Sequence, residues 1–486
     1  MSKEPTKTTT PSPRFASTLG SAEWRRCFSA FTLLFLSVWL LNRYIFPVYV
    51  SVFAFAREIA TATSGVTMLV LALVALKKPS VFRSGPIAVV TLTCLGVGVL
   101  MVIAALQTSL PWLLVVGTVS LSCGRACVEL MTVIVLVDFE GKECAICVAG
   151  ASAVAYAFKA AFFALPDICG TVAFIACPVL MFLLAWPCAD RLFTRVRKVP
   201  SALDLSITQP RSFLPFSHVL FISVFVFRAA YGFSLAFNME NGMPPLTLFA
   251  FLPIAVVALQ AVFSKRVRPA DILYQVASLL IAAGLLAVPL PQFVGTTVPN
   301  MLTAAGADCF WVLMYYTLAC IGRRNIAQAI PAFGWALFAG SFGTLMGTSF
   351  GYALNTLGGI DPTHVDLAIA VVVLLFFAYN VIVLRAFSFE ATVQGVEPIR
   401  EVQAAPVEPG VEVDPIGRQC ARVSAAFGLT EREADVMALL AHSRNVPFIT
   451  DELVISRNTI KTHIKHIYQK LDVHSQQELI DMVETY

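Results

Sequence analysis

Two sets of residues in this sequence have the type and spacing to do chemistry. The first is a run of cations near the C-terminal end. Arg457, Lys461, Lys465 and Lys470 recur along a stretch where Ile460, Ile464, Ile467 and Leu471 repeat at three- and four-residue spacing, with no acid between 456 and 471. Helical periodicity puts the isoleucines on one face and the cations on the other. The second set is charge inside long apolar stretches: Arg43, Arg125, Glu129, Lys159, Arg228 and Asp308. A charge near mid-bilayer costs about 2.5–3.5 kcal/mol or more, so it faces a cavity or a partner. Arg125 and Glu129 are four apart and share a helix face. Asp308, Trp311 and Tyr315 share another, a carboxylate beside two aromatic rings. Arginine forks at Arg125 and Arg228 match a carboxylate. Asp308 matches a cationic group or neutralises Arg228, so the sign of a ligand's charge stays open. The alternative is that these charges pair with one another and only fix helix packing.

The elements that must position these residues follow from composition. Of 486 residues, 58% are hydrophobic and 13% charged, and mean hydropathy is +0.78, against about 45–50% apolar and about 25% charged in soluble domains. This excludes an ordinary cytosolic globule, a disordered chain and a disulfide-rich secreted module. Apolar stretches long enough for a ~30 Å hydrocarbon core lie near 28–50, 59–76, 87–106, 111–137, 144–164, 168–188, 216–238, 245–263, 271–290, 299–320, 331–355 and 364–387. They lack the polar alternation of a membrane barrel and read as twelve helices. Lys and Arg concentrate in alternate connections, including Lys77, Lys78 and Arg83, the stretch from Arg191 to Arg211, Lys265 to Arg268, and Arg323 with Arg324. That side is cytoplasmic, so both termini are expected there. Residues 1–26 read as a disordered Thr/Ser/Pro-rich tail without a small-residue cleavage site. The membrane domain is placed at 27–387.

Six plus six helices around a long basic central connection, about 189–215, resemble the major facilitator superfamily over about 28–387. Two family motifs are replaced: the loop after the second span reads Lys77-Lys78-Pro79-Ser80-Val81-Phe82-Arg83, and Gly150-Ala151-Ser152-Ala153 stands in the fifth span. The resemblance implies that spans 1, 4, 7 and 10 line a central cavity, and five of the six intramembrane charges fall on those four. The ligand set expected there is Arg43, Arg125, Glu129, Arg228, Asp308, Trp311 and Tyr315. In span 11, Gly340, Gly343, Gly347 and Gly351 read as a close helix contact or as a sliding surface.

Twelve cysteines are present; Cys144 with Cys147 form a CxxC and Cys123 and Cys127 are four apart, yet neither pair has a nearby His or a second Cys pair at zinc-finger spacing. No P-loop, catalytic serine motif or HExxH appears. The expectation is a non-enzyme with no cofactor and no metal.

Residues 388–415 are rich in Glu, Pro and Val and carry six acids against one Arg, which predicts an extended, self-repelling linker. Residues 416–486 then read as a soluble domain of four helices. Thr430 to Glu433 forms a capping box, and Val436, Leu439 and Leu440 continue an amphipathic helix. A second helix is expected at about 447–454. A third runs over about 457–471 with Ser456 as N-cap, and a fourth over about 475–484.

Leu429-Thr430-Glu431-Arg432-Glu433-Ala434, followed at the expected separation by Ile455-Ser456-Arg457-Asn458-Thr459-Ile460-Lys461-Thr462-His463-Ile464-Lys465-His466-Ile467-Tyr468-Gln469-Lys470-Leu471, closely resembles the LuxR-type helix-turn-helix over about 425–481. Between the blocks, Pro447, Phe448 and Thr450 replace common residues. The resemblance implies a recognition helix in the major groove of promoter DNA. Lys461, Thr462 and Lys465 would be groove-facing. Thr459, His463 and Lys470 would contact phosphate or support the helix, with Ser456 and Arg457 at its start. It also implies a homodimer paired through 475–486. The full expectation is all-α: a twelve-helix membrane bundle, then a four-helix DNA-binding domain. Such a chain is a transcriptional regulator in the cytoplasmic (inner) membrane of a bacterium that senses an unknown small ligand or a membrane condition. The alternatives are a secondary transporter with a regulatory DNA-binding tail, or a permease whose degenerate helix-turn-helix serves protein contacts alone.

Overall fold

The structure, a computed structural model, describes residues 20–210, 213–237, 249–263, 269–290, 293, 295, 297–358, 362–385, 387–398 and 415–486. Every regular element among the described residues is helical. The first six are α1 (Ala22–Val50), α2 (Ala56–Lys77), α3 (Ser84–Thr108), α4 (Pro111–Ile134), α5 (Gly141–Phe163) and α6 (Asp167–Val196). A short helix, α7 (Ala202–Thr208), occupies the central connection. The second set is α8 (Val219–Ala236), α9 (Phe251–Phe263), α10 (Pro269–Ala287), α11 (Val298–Arg324), α12 (Ile326–Gly358) and α13 (Pro362–Ala378). Among the described residues ten helices are long and apolar enough to cross a membrane, and α9 and α10, at the expected eighth and ninth spans, are shorter.

Local chemistry explains the starts. Ser21 accepts a hydrogen bond from the Trp24 N–H at 3.1 Å, and Glu23 lies in the first turn, so α1 begins at Ala22. The expected tail therefore ends earlier than residue 26, and most of it lies outside the described residues. A Glu140/Glu143 capping box starts α5. Val89, Leu100 and Leu374 are two-thirds exposed on α3 and α13, the apolar surface that lipid covers, whereas α11 lies innermost. The two sets of helices meet where α2 packs on α12 and α5 on α9. The most extensive pairing is α8 on α12. A Cβ at Gly347 would overlap the Ala229 carbonyl oxygen, so the span-11 glycines let two backbones touch.

After α13 the chain does not leave directly into an extended linker. Helix α14 (Phe389–Gly395) is capped by Ser388, buries Phe389 against Phe310 and Tyr274, and ends where Arg324 Nε donates to the Val396 carbonyl at 3.0 Å. The reading of 388–415 as linker fails for this first part because Phe389 and Val396 are apolar anchors. Residues 399–414 lie outside the described residues.

The C-terminal domain has five helices, not the four expected: α15 (Pro415–Ala426), α16 (Glu431–Ala441), α17 (Val446–Leu453), α18 (Arg457–Leu471) and α19 (Gln476–Thr485). The additional α15 buries Cys420 and Val423, three apart on one face, in the core formed by Val436, Leu440, Ile449, Ile460, Ile464, Ile467 and Leu479.

Candidate functional sites: a charged membrane cavity and a basic recognition helix

A cavity of about 170 Å³ opens inside the membrane bundle, lined from α1, α2, α4, α5, α8, α11 and α12. Six of the seven expected ligand residues line it: Arg125, Glu129, Arg228, Asp308, Trp311 and Tyr315. Arg43 does not. Its guanidinium sits over the rings of Tyr44 and Phe163, 5.1 and 5.7 Å from their centroids. Lys159, the sixth intramembrane charge, also lines the cavity.

Helical spacing put Asp308, Trp311 and Tyr315 on one face, and all three reach the cavity. Asp308 accepts a hydrogen bond from the Tyr156 hydroxyl at 2.6 Å and pairs with Lys159 at 3.6 Å. The Tyr315 hydroxyl donates to Glu129 at 3.2 Å, and Trp311 meets the Tyr315 ring edge-on. The Arg228 guanidinium lies over Tyr231 and Trp311, 4.2 and 5.1 Å from the ring centroids, a favourable cation–π geometry. Arg125 packs over Phe174 at 5.0 Å. Some charges therefore pair with one another, as the packing alternative supposed, but the arginines face rings. Sequence reading did not assign Arg57, Tyr156 or Tyr231 to the cavity. Arg57 lies between the first two apolar stretches and is buried at the start of α2, with its guanidinium 5.3 Å from the centroid of the Phe46 ring. Arg57 shares the cavity-lining face of α2 with Ala60, Thr61, Ser64 and Met68, at the three-, four- and seven-residue spacing that places side chains on one side of a helix.

The second site is α18. Ser456 accepts from the Thr459 N–H at 3.1 Å and starts the helix. Lys461, Thr462 and Lys465 point into solvent, as does Thr459, while His463 is half-buried. Lys470 departs from the row of free cations. Its Nζ donates to the Gly428 carbonyl at 2.9 Å and to Glu433 at 2.7 Å. Glu433 also receives the Thr430 N–H at 2.8 Å, closing a capping box. The Lys470 hydrogen bond holds the buried Glu433 carboxyl well below the usual range, at about 2. Lys470 thus ties α18 to the start of α16. At the replaced positions, Pro447 takes the first turn of α17, where no N–H is missed, and Arg444 lies over the Phe448 ring at 4.8 Å.

Arg457 is engaged elsewhere. Its guanidinium pairs with the Asp204 carboxylate of α7, and the Tyr468 hydroxyl donates to the Thr208 carbonyl at 2.7 Å. Burial pushes the Tyr468 hydroxyl up, so it stays a donor at neutral pH. Ile207 enters the core of the C-terminal domain. On its other side, α7 buries Ala202 and Leu205 against Leu76 of α2 and Ala327 of α12. The stretch 189–215 reads in sequence as a basic connection. The one signal for α7 was Ser201 three before Asp204, and Ser201 does accept from the Asp204 N–H at 3.1 Å.

Residues 428–483 match the family model of bacterial regulatory proteins, luxR family. The chain is also 37% identical over 71 residues to the uncharacterized response regulatory protein YgeK of Escherichia coli (strain K12). That match covers 14% of this chain and 48% of YgeK, so the chain spans about half the length of the curated relative it matches. The membrane part is similar to a bacterial homologue of the iron transporter ferroportin (12% identity, 74% of this chain, 99% of that one, TM-score 0.47). It is also similar to the E. coli fucose:proton symporter FucP (13%, 75% and 98%, TM-score 0.43). Likeness at this level transfers neither a substrate nor a transport activity. Residues 428–483 thus carry a LuxR-type helix-turn-helix domain, joined in one chain to a helical part with ten helices, among the described residues, long and apolar enough to cross a membrane.

Proposed function

We propose that this chain is a membrane-tethered transcriptional regulator of a bacterial cytoplasmic membrane, with both termini cytoplasmic. In this reading α18 reads promoter DNA through Lys461, Thr462 and Lys465, two copies pair through α19, and the membrane cavity senses a small ligand. The observation that carries the reading is the seat of α7. One face of this helix rests on the ends of α2 and α12, two helices that also line the cavity. The other holds Arg457 and Tyr468 of α18. A ligand that binds one arrangement of α2 and α12 better than another shifts their population, and α7 passes that shift to the DNA reader. Arg457 stands at the head of the recognition helix, where a DNA phosphate would lie. Asp204 and that phosphate compete for one guanidinium.

The test is genome-wide mapping of binding sites with the full chain and with the double variant Lys461→Ala, Lys465→Ala. The double variant should insert into the membrane at the same level and lose its promoter peaks. Unchanged peaks would sink the DNA-reading assignment. The transporter alternative draws on the same cavity, bordered by both sets of helices. A strain in which promoter peaks and target transcripts ignore every change at Arg228 and Asp308 would favour it.

A further inference from the structure

We infer that the membrane cavity is built for a small organic anion, a carboxylate with a flat apolar body. This deepens the sensor reading above and rests on it for its biological role. Four cations line the cavity, Arg57, Arg125, Lys159 and Arg228, against two carboxylates, Glu129 and Asp308. Among the described lining residues the formal charges sum to +2, four cations less two acids, at a depth where charge needs a partner.

Both carboxylates are already committed. Asp308 is held by Lys159 and by the Tyr156 hydroxyl. Glu129 takes the Tyr315 hydroxyl and lies one helical turn from Arg125. A cationic ligand would have to strip one of these acids of its partners. An anion displaces nothing. Asp308, which the sequence alone left free to neutralise Arg228, is spent on Lys159. Among the described residues no carboxylate pairs with Arg228, and its buried Nε has no hydrogen-bond partner. A guanidinium that lines the cavity, carries one unpartnered N–H and is backed by aromatic rings has the planar fork that matches the two oxygens of a carboxylate. The rings of Trp311, Tyr231 and Tyr315 border the same space, and a flat apolar body lies against them at little cost.

The test uses the purified full chain in lipid nanodiscs, with no DNA present. The probes are benzoate, cinnamate, salicylate and succinate, each beside its neutral amide, with benzylamine as the cation of similar shape. Thermal unfolding and tryptophan fluorescence report binding. At least one aromatic carboxylate should raise the melting temperature, and its amide and benzylamine should not. Arg228→Gln should abolish the effect. Arg228→Lys keeps the charge but not the fork, and should bind the same probe about tenfold more weakly; it also guards against a variant that simply fails to fold. Stabilisation by benzylamine, equal stabilisation by the amides, or no stabilisation by any carboxylate would overturn the assignment. A carboxylate that binds through Arg228 and leaves promoter occupancy unchanged would keep the anion site and defeat the sensor reading instead.

Discussion

The membrane cavity and the recognition helix each gather four cations, and physics treats them differently. On α18, Lys461 and Lys465 stand in water, where a charge costs almost nothing and its neighbours are screened within about 8–10 Å. In the cavity, each cation must find a carboxylate, a ring or a ligand. Exposed cations are informative only through their pattern. Buried ones are informative singly, because each must be accounted for. Lys470 and Arg457 fall between these cases: both sit on the basic helix, and both are tied to an acid of another element.

The largest expected effect tests the cost of the buried set. Asp308→Ala leaves Lys159 without its acid and should destabilise the membrane domain by about 3–5 kcal/mol. Thermal unfolding in nanodiscs reads this loss, and pairing the change with Lys159→Met should recover much of it. The same removal of charge at Lys461 should leave the melting temperature unmoved. If the two sites respond alike, the contrast between buried and exposed cations is wrong.

A smaller effect concerns Glu433. Its carboxyl is held at about 2 in the folded domain, against an ordinary 4.5. The folded value is depressed, so the stabilisation is complete above about pH 4.5 and is lost as pH falls toward 2. It amounts to no more than about 3 kcal/mol. Hydrogen exchange over 415–486 in the full chain should show protection falling through that window. Lys470→Met should flatten the response; a loss centred near neutral pH would contradict it.

The smallest effect is at the contact between the two regions. The Arg457–Asp204 pair is partly exposed, with side-chain accessibilities of 39% and 13%, so its worth is at most about 1 kcal/mol. Asp204→Ala should tighten binding of the full chain to its promoter fragment by a few-fold in fluorescence anisotropy. Weaker binding would mean that α7 supports the reader and does not compete with DNA.

Much of the fold was legible because its causes are local. Hydrophobic runs, Ser456 as a cap and the Thr430–Glu433 box each act within a turn or one bilayer thickness, and the helices over 457–471 and 431–441 lie where those signals put them. Six of seven expected cavity residues were legible for a related reason: a charge in an apolar run is conspicuous wherever the helix goes. Arg43 was misplaced because helix rotation, which decides whether a side chain meets the cavity or the rings of Tyr44 and Phe163, is set by packing and not by composition. Helix α15 was missed because a weakly apolar twelve-residue segment gains its reason to be helical only from the core that accepts Cys420 and Val423.

The sequence by itself determined that one part of this chain lives in lipid and another carries a basic helix of LuxR type, since burial patterns and caps are written in neighbouring residues. Only the tertiary structure decided which acid belongs to which cation. Asp308 goes to Lys159, Glu433 to Lys470 and Asp204 to Arg457. These partners are separated by 149, 37 and 253 residues along the chain, respectively. Coulomb attraction depends on distance in space, which no local pattern encodes. That Arg228 has no carboxylate partner among the described residues, and that α7 sits against α18, both follow from those pairings.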